Sequence, residues 1–172
     1  YDRKNIAMIE LKGISKSQLE RKDEAIIDYL YAIKYDGIVD YDYSNIYNNL
    51  AFEYMKKGDL NKSKNFIIKS IEQNHMYGNA WDTYGELCYH LGEYENCINY
   101  TNNAITIAKC SQKGDWIENS YLYRGLARKA LGDLAGAYRD FKKAIENIDT
   151  IILYTKDIDY INAHGTGTKL ND

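Results

Sequence analysis

The sequence predicts an all-α fold, a right-handed α-solenoid of four helix–turn–helix units with an extended last helix and an irregular C-terminal tail. Three observations predict it. Segments of helical periodicity recur in pairs along most of the chain. The pairs return at a nearly constant period, which is the signature of stacked repeats. Within each period, small residues return at the same offsets.

The units can be taken in order. The first is "IAMIELKGISKSQLERKDEAIIDYLYAI", which fits the frame without a turn glycine and has Glu20 and Arg21 at its turn. The second joins "SNIYNNLAFEYMKK" to "GDLNKSKNFIIKSI", the third "GNAWDTYGELCYHL" to "GEYENCINYTNNAI", and the fourth "ENSYLYRGLARKAL" to "GDLAGAYRDFKKAI". Their first positions are Ile6, Ser44, Gly78 and Glu118, at spacings of 38, 34 and 40 residues. The extra residues fall in "YDGIVDYD" and "KCSQKGDW", between units, where insertions are tolerated. Gly58, Gly92 and Gly132 supply the left-handed residue that ends a helix. Asp59, Glu93 and Asp133 follow, each an acid beside the positive start of the next helix.

At the eighth, twentieth and twenty-seventh positions stand Gly13, Ala25, Ala32; Ala51, Ser63, Ser70; Gly85, Cys97, Ala104; and Gly125, Ala137, Ala144. All are small, as close helix crossings require. Tyr47, Leu50, Tyr54, Trp81, Tyr84, Tyr121 and Phe141 fill the space between. This pattern resembles the tetratricopeptide repeat family, with repeats at about 6–39, 44–77, 78–111 and 118–151 in a domain of residues 1–155. The family's proline near the repeat end is missing, and Gly37, His75, Lys109 and Asp149 stand in its place, so weaker helix stops are expected. Ala144, Ile148, Ile151 and Ile152 keep helical spacing and predict a last helix that runs on to cap the stack.

The composition supports a globular chain of 172 residues, 45% hydrophobic and 27% charged. A net charge of -3 speaks against a nucleic-acid partner, which demands a basic face. No apolar run approaches a membrane span. Cys88, Cys97 and Cys110 have no metal spacing and read as free thiols of a reducing, cytoplasmic compartment. Cys88 and Cys97 read as filling small core slots, and Cys110 as lying in a loop between helices. His75 and His90 have no second ligand nearby, so neither metal nor cofactor is expected. The chain starts at Tyr1 rather than Met, which predicts a processed or trimmed N-terminus and leaves a removed signal peptide open.

The resemblance implies a function: the first helix of each unit lines a concave groove that holds a peptide or partner helix. In this frame the lining residues are Ala7, Glu10 and Ile14; Asn45, Asn48, Phe52 and Met55; Asn79, Asp82, Glu86 and Tyr89; Asn119, Leu122, Leu126 and Lys129. Phe52, Met55, Tyr89, Leu122 and Leu126 are the expected apolar anchors. Asn45, Asn79 and Asn119 recur at one place and have two open roles, helix N-caps or contacts to a ligand backbone. Some family members grip carboxylate-ending chaperone tails with cations along the row that here carries Glu10, Asn48, Asp82 and Leu122, so that ligand is not expected.

The tail, residues 156–172, is expected to be extended or disordered and separate from the repeats. Its "YINAHGTGTKLND" resembles the histidine loop of β-ketoacyl synthases, with His164 at the family's catalytic histidine. That enzyme also needs a nucleophilic cysteine at a strained elbow, which no cysteine here provides. The expected function is therefore a non-catalytic protein-interaction scaffold. A fragment or associate of a ketoacyl synthase and a peptide-sensing regulatory domain stand as alternatives. Self-association through the tail is a further candidate.

Overall fold

The computed structural model describes residues 2–111 and 117–146. These form helices α1 (Arg3–Gln18), α2 (Lys22–Ala32), α3 (Ser44–Lys56), α4 (Leu60–Gln73), α5 (Gly78–His90), α6 (Tyr94–Ser111), α7 (Ile117–Ala130) and α8 (Leu134–Glu146), with a 3-10 turn at Ile33–Tyr35. No strand occurs among the described residues. Each helix packs on the next to make four pairs, and the pairs stack into a solenoid. Every odd-numbered helix also touches the next odd-numbered one. This convergence puts α1, α3, α5 and α7 on the inner face. The expected continuation of the last helix through Ile148, Ile151 and Ile152, and the tail at 156–172, lie outside the described residues.

All the small positions read from the sequence are buried. The eighth-position residue meets a side chain about two turns into the paired helix. An added Cβ on Gly13 would lie 2.5 Å from the Tyr29 ring, and one on Gly125 would lie 2.6 Å from the Phe141 ring. Gly85 faces Thr101 in the same way. In the second unit the corresponding residues are Ala51 and Ile67, both fully buried in one cluster. A methyl group is accommodated there.

A second contact near this crossing takes two chemical forms. In the outer units it is ionic. Asp28 is met by Lys16 at 2.6 Å and Lys12 at 3.6 Å. Asp140 is held by Arg124 through two bonds of 2.9 and 2.6 Å and by Arg128 at 2.8 Å. In the inner units the equivalent residues are Phe66 and Tyr100. Phe66 stacks on Tyr54 with ring centroids 5.5 Å apart, and Tyr100 on Tyr84 at 4.1 Å. Buried charge requires a partner, whereas stacked rings gain from apolar burial directly.

The turns share one geometry. After α3, the Asp59 amide donates to the Tyr54 carbonyl and the Gly58 amide to Met55. The same pair of bonds closes α5 at Glu93 and Gly92, and α7 at Asp133 and Gly132. Gly58, Gly92 and Gly132 have φ of 80°, 75° and 85°. This is the glycine-ended stop that the sequence predicts. The first unit makes the same turn without glycine: Arg21 donates to Lys16, and Glu20 takes φ 56°, a conformation that strains a side chain. Asp59 and Asp133 then accept from the Lys62 and Gly136 amides at the start of the next helix.

Among the described residues, one helix overruns the place of the missing proline. α6 continues through Lys109 to Ser111 and packs extensively on α7. Cys110 is thus a helical surface residue, not a loop residue as the sequence led us to expect, because nothing at Lys109 stops the helix. By contrast α4 stops at Gln73, where Asn74 turns extended and its side chain accepts from the Met76 amide.

Gly125→Val is expected to lower unfolding stability by about 2 kcal/mol or more, since the Phe141 ring and the Asp140 Cβ leave no room. Urea denaturation of the full chain checks this. Unchanged stability would mean that the crossing tolerates separation.

Candidate functional site

The inner face is built from residues of α1, α3, α5 and α7, of which Ile14, Leu122 and Leu126 also pack on the core of their own pair. Ala7, Ile14, Asn45, Asn79, Glu86, Tyr89, Asn119, Leu122, Leu126 and Lys129 are half-buried there, and Phe52 is the most open at 36% exposure. Glu10, Asn48, Met55 and Asp82 are buried. Met55 packs with Ala51, Ile67 and Leu87, so its side chain belongs to the core. Tyr89 sits in a ring cluster with Tyr94 and Tyr123, at 5.8 and 5.5 Å.

The asparagine ladder is not a set of helix caps. The residue preceding α3 is Tyr43, with Asp42 accepting from the Ser44 amide, and the residue preceding α5 is Tyr77. Two of the asparagines instead tie neighbouring units together. Asn45 Nδ2 donates to Glu10 of α1, and Tyr77 donates to Asn45 Oδ1 at 2.6 Å. Asn119 Nδ2 donates to Asp82 of α5 at 2.8 Å and to Glu86 at 3.3 Å. In each case an acid at the fifth position of one unit meets the asparagine at the second position of the next. The middle junction differs: Asn48 replaces the acid opposite Asn79, and both Oδ1 atoms are buried without a hydrogen-bond partner.

Further donors complete the acids. Tyr41 donates to Glu10, Ser120 to Asp82 at 2.5 Å, and Tyr123 to Glu86 at 2.8 Å. Burial, and then the bond to Glu10, raise the Tyr41 hydroxyl above its ordinary range, so it remains a donor. Burial pushes Asp82 up to about 7, against the pull of the Ser120 and Asn119 bonds, and Glu86 and Glu118 push it further in the same direction. Sequence reasoning missed Tyr41, Tyr77, Ser120 and Tyr123. The abundance of tyrosine was the available signal, but it names no partner.

Other chemistry is limited. Burial pushes the Cys88 and Cys97 thiols up to about 12, so both stay protonated and unreactive. Among the described residues, no group of His, Cys, Asp and Glu could hold a metal ion, and no helix is long and apolar enough to cross a membrane. A cleft of about 550 Å³ opens at the N-terminal end of the face, lined by Arg3, Lys4, Ala7, Asp40, Tyr41 and Asp42. A second cleft, of about 600 Å³, lies away from the face, around Tyr54, Phe66 and Lys69.

Comparison with known proteins agrees with this architecture. Residues 44–74 match the tetratricopeptide repeat family. Residues 128–172, which include α8 and the histidine-loop sequence, match the β-ketoacyl synthase C-terminal domain. No curated protein matches the chain. Among solved structures, PilF of Pseudomonas aeruginosa is 15% identical with a TM-score of 0.77, covering 92% of this chain and 69% of that one. MamA is 20% identical, TM-score 0.66, covering 83% and 77%. The first tetratricopeptide domain of Spaghetti (RPAP3), solved with the HSP90 peptide SRMEEVD, is 18% identical, TM-score 0.64, covering 73% and 94%. At these identities the likeness is one of fold, and the fold is the tetratricopeptide repeat solenoid.

The raised Asp82 has a thermodynamic consequence. Between its ordinary value of 3.8 and about 7, the folded chain holds a proton that the unfolded chain releases. Asp82 therefore favours folding less and less as pH rises through that window, and its effect is constant above it. Relative to the natural chain, Asp82→Asn should gain about 2 kcal/mol of stability on going from about pH 5 to about pH 8. Paired urea titrations at the two pH values measure it. A constant difference would place the Asp82 proton elsewhere.

Proposed function

We propose that the chain is a protein-interaction module that holds an extended peptide or a partner helix along the inner face of α1, α3, α5 and α7. The observation that carries this reading is the face itself. It runs over successive helices as a strip of half-buried amides and apolar side chains, beside a core that is closed. Phe52, Tyr89, Leu122 and Leu126 are its apolar contacts. Met55 supports them from beneath, which narrows the set of anchors expected from sequence. The strip has the length that an extended chain uses. The Spaghetti domain with its bound peptide supports the use of this fold for peptide capture.

The test is selection of ligands from a random-sequence peptide library displayed against the full chain. Phe52→Glu and Leu126→Glu are each expected to weaken the selected peptides about tenfold or more, as loss of a buried contact does. Ile27→Glu, on an exposed site of α2, should leave them unchanged. Equal affinity for all three variants would remove the groove from the reading.

The match over residues 128–172 favours a second reading, in which the chain works beside a β-ketoacyl synthase as a docking module. Acyl transfer by the described residues is opposed by the protonated state of Cys88 and Cys97 and by the position of Cys110 on an open helix surface. Incubation with an acyl thioester is expected to leave the intact mass unchanged. A stable thioester adduct on any cysteine would make the chain an enzyme.

A further inference from the structure

The buried carboxylates of this chain fall into two groups. Asp28 and Asp140, between paired helices, each meet two cations. Glu10, Asp82 and Glu86, on the inner face, accept hydrogen bonds from neutral donors: Tyr41 and Asn45, Ser120 and Asn119, Tyr123 and Asn119. Lys56, His90 and Lys129 stand at the C-terminal ends of α3, α5 and α7. Lys56 lies 3.5 Å from Glu53 and over the Phe52 ring, and His90 is 3.7 Å from Glu86. Among the described residues Glu10 and Asp82 thus meet hydrogen-bond donors but no ion-pair partner, whereas Glu86 has His90 beside it.

The middle of that row lacks something more specific. At the flanking junctions an acid and an asparagine close on each other as acceptor and donor. At the Asn48–Asn79 junction two amide oxygens are buried without a donor, and Asn48 is only 7% exposed. An unmet buried acceptor costs free energy that an incoming donor recovers. Along α1, α3 and α5 the row reads Glu10, Asn48, Asp82, so this vacant acceptor pair lies between two carboxylates.

We propose that the groove's occupant is a cationic segment, and that one of its lysine or arginine side chains is received at the Asn48–Asn79 junction between Glu10 and Asp82. The ammonium or guanidinium donates to the two amide oxygens and is drawn there by the carboxylates on either side. A cation there would also draw Asp82 back toward its charged form, which burial now opposes. This inference rests on the groove reading and adds the charge of the partner to it.

Random peptides selected against the full chain, then measured by fluorescence anisotropy, test both separately. The inference expects the selected peptides to be enriched in lysine and arginine, and their binding to weaken as salt is raised. Replacing the peptide cations with glutamine should weaken binding about tenfold, as should the double variant Glu10→Gln, Asp82→Asn, whose amides keep acceptors for Tyr41 and Ser120. Asn48→Lys, which supplies a cation from within, should compete to a similar extent, and a melting curve for each variant confirms that it is folded. Peptides that are neutral or acidic yet lose affinity on Phe52→Ala would overturn the cationic occupant and keep the groove. Peptides indifferent to Phe52→Ala and Leu126→Ala would overturn both.

Discussion

Two helices of one pair approach closely only where one of them presents almost no side chain, and the rest of this structure follows from meeting that condition repeatedly. Gly13, Gly85 and Gly125 let Tyr29, Thr101 and Phe141 lie directly on the opposing backbone, and Ala51 does so for Ile67. Close approach buries the twentieth- and twenty-seventh-position residues completely or nearly so, from Ala25 and Ala32 to Ala137 and Ala144. It also fixes the direction in which the inner helices face. The groove is therefore a by-product of packing on its far side, and its shape depends on residues that never line it.

Once the crossings are set, two kinds of polar fastening divide the work. Within the outer pairs, Asp28 and Asp140 are neutralised by cations from the paired helix. Between pairs, Glu10 and Asp82 are satisfied by asparagine, serine and tyrosine. The first arrangement cancels charge in place. The second satisfies hydrogen-bonding capacity without bringing a cation, so burial raises Asp82 and holds its proton to higher pH. The inner pairs manage with stacked rings instead, Tyr54 on Phe66 and Tyr84 on Tyr100.

Much of the fold was legible in the sequence because its rules act over short distances. A small residue at a crossing and a glycine in the left-handed turn are each demanded by local sterics, so they recur in register. Glu20 shows the limit. It makes the same turn as Gly58 and Gly92, but the surrounding helices impose that turn, and glutamate carries no mark of it. The end of α6 was illegible for a related reason: the absence of proline at Lys109 indicates only that a helix has permission to continue. The candidate site was legible as a set of positions but not as a network. Asn45 and Asn119 occupy a place where capping was plausible, and their actual partners, Glu10 and Asp82, lie a full unit earlier in the chain.

The division between fastenings inside a unit and fastenings across a junction bears on how such a chain can change length. Ionic and aromatic locks travel with the unit that contains them, so a duplicated or deleted unit would keep its internal bonds. Its borders would not be preserved so simply. Excising the third unit would bring Asn119 opposite Asn48, reproducing the amide-on-amide pairing already present before Asn79, whereas excising the second would set Asn79 opposite Glu10 and restore an acid–amide pair. Gene rearrangement could thus shorten the array at either place while altering the recognition surface in opposite senses.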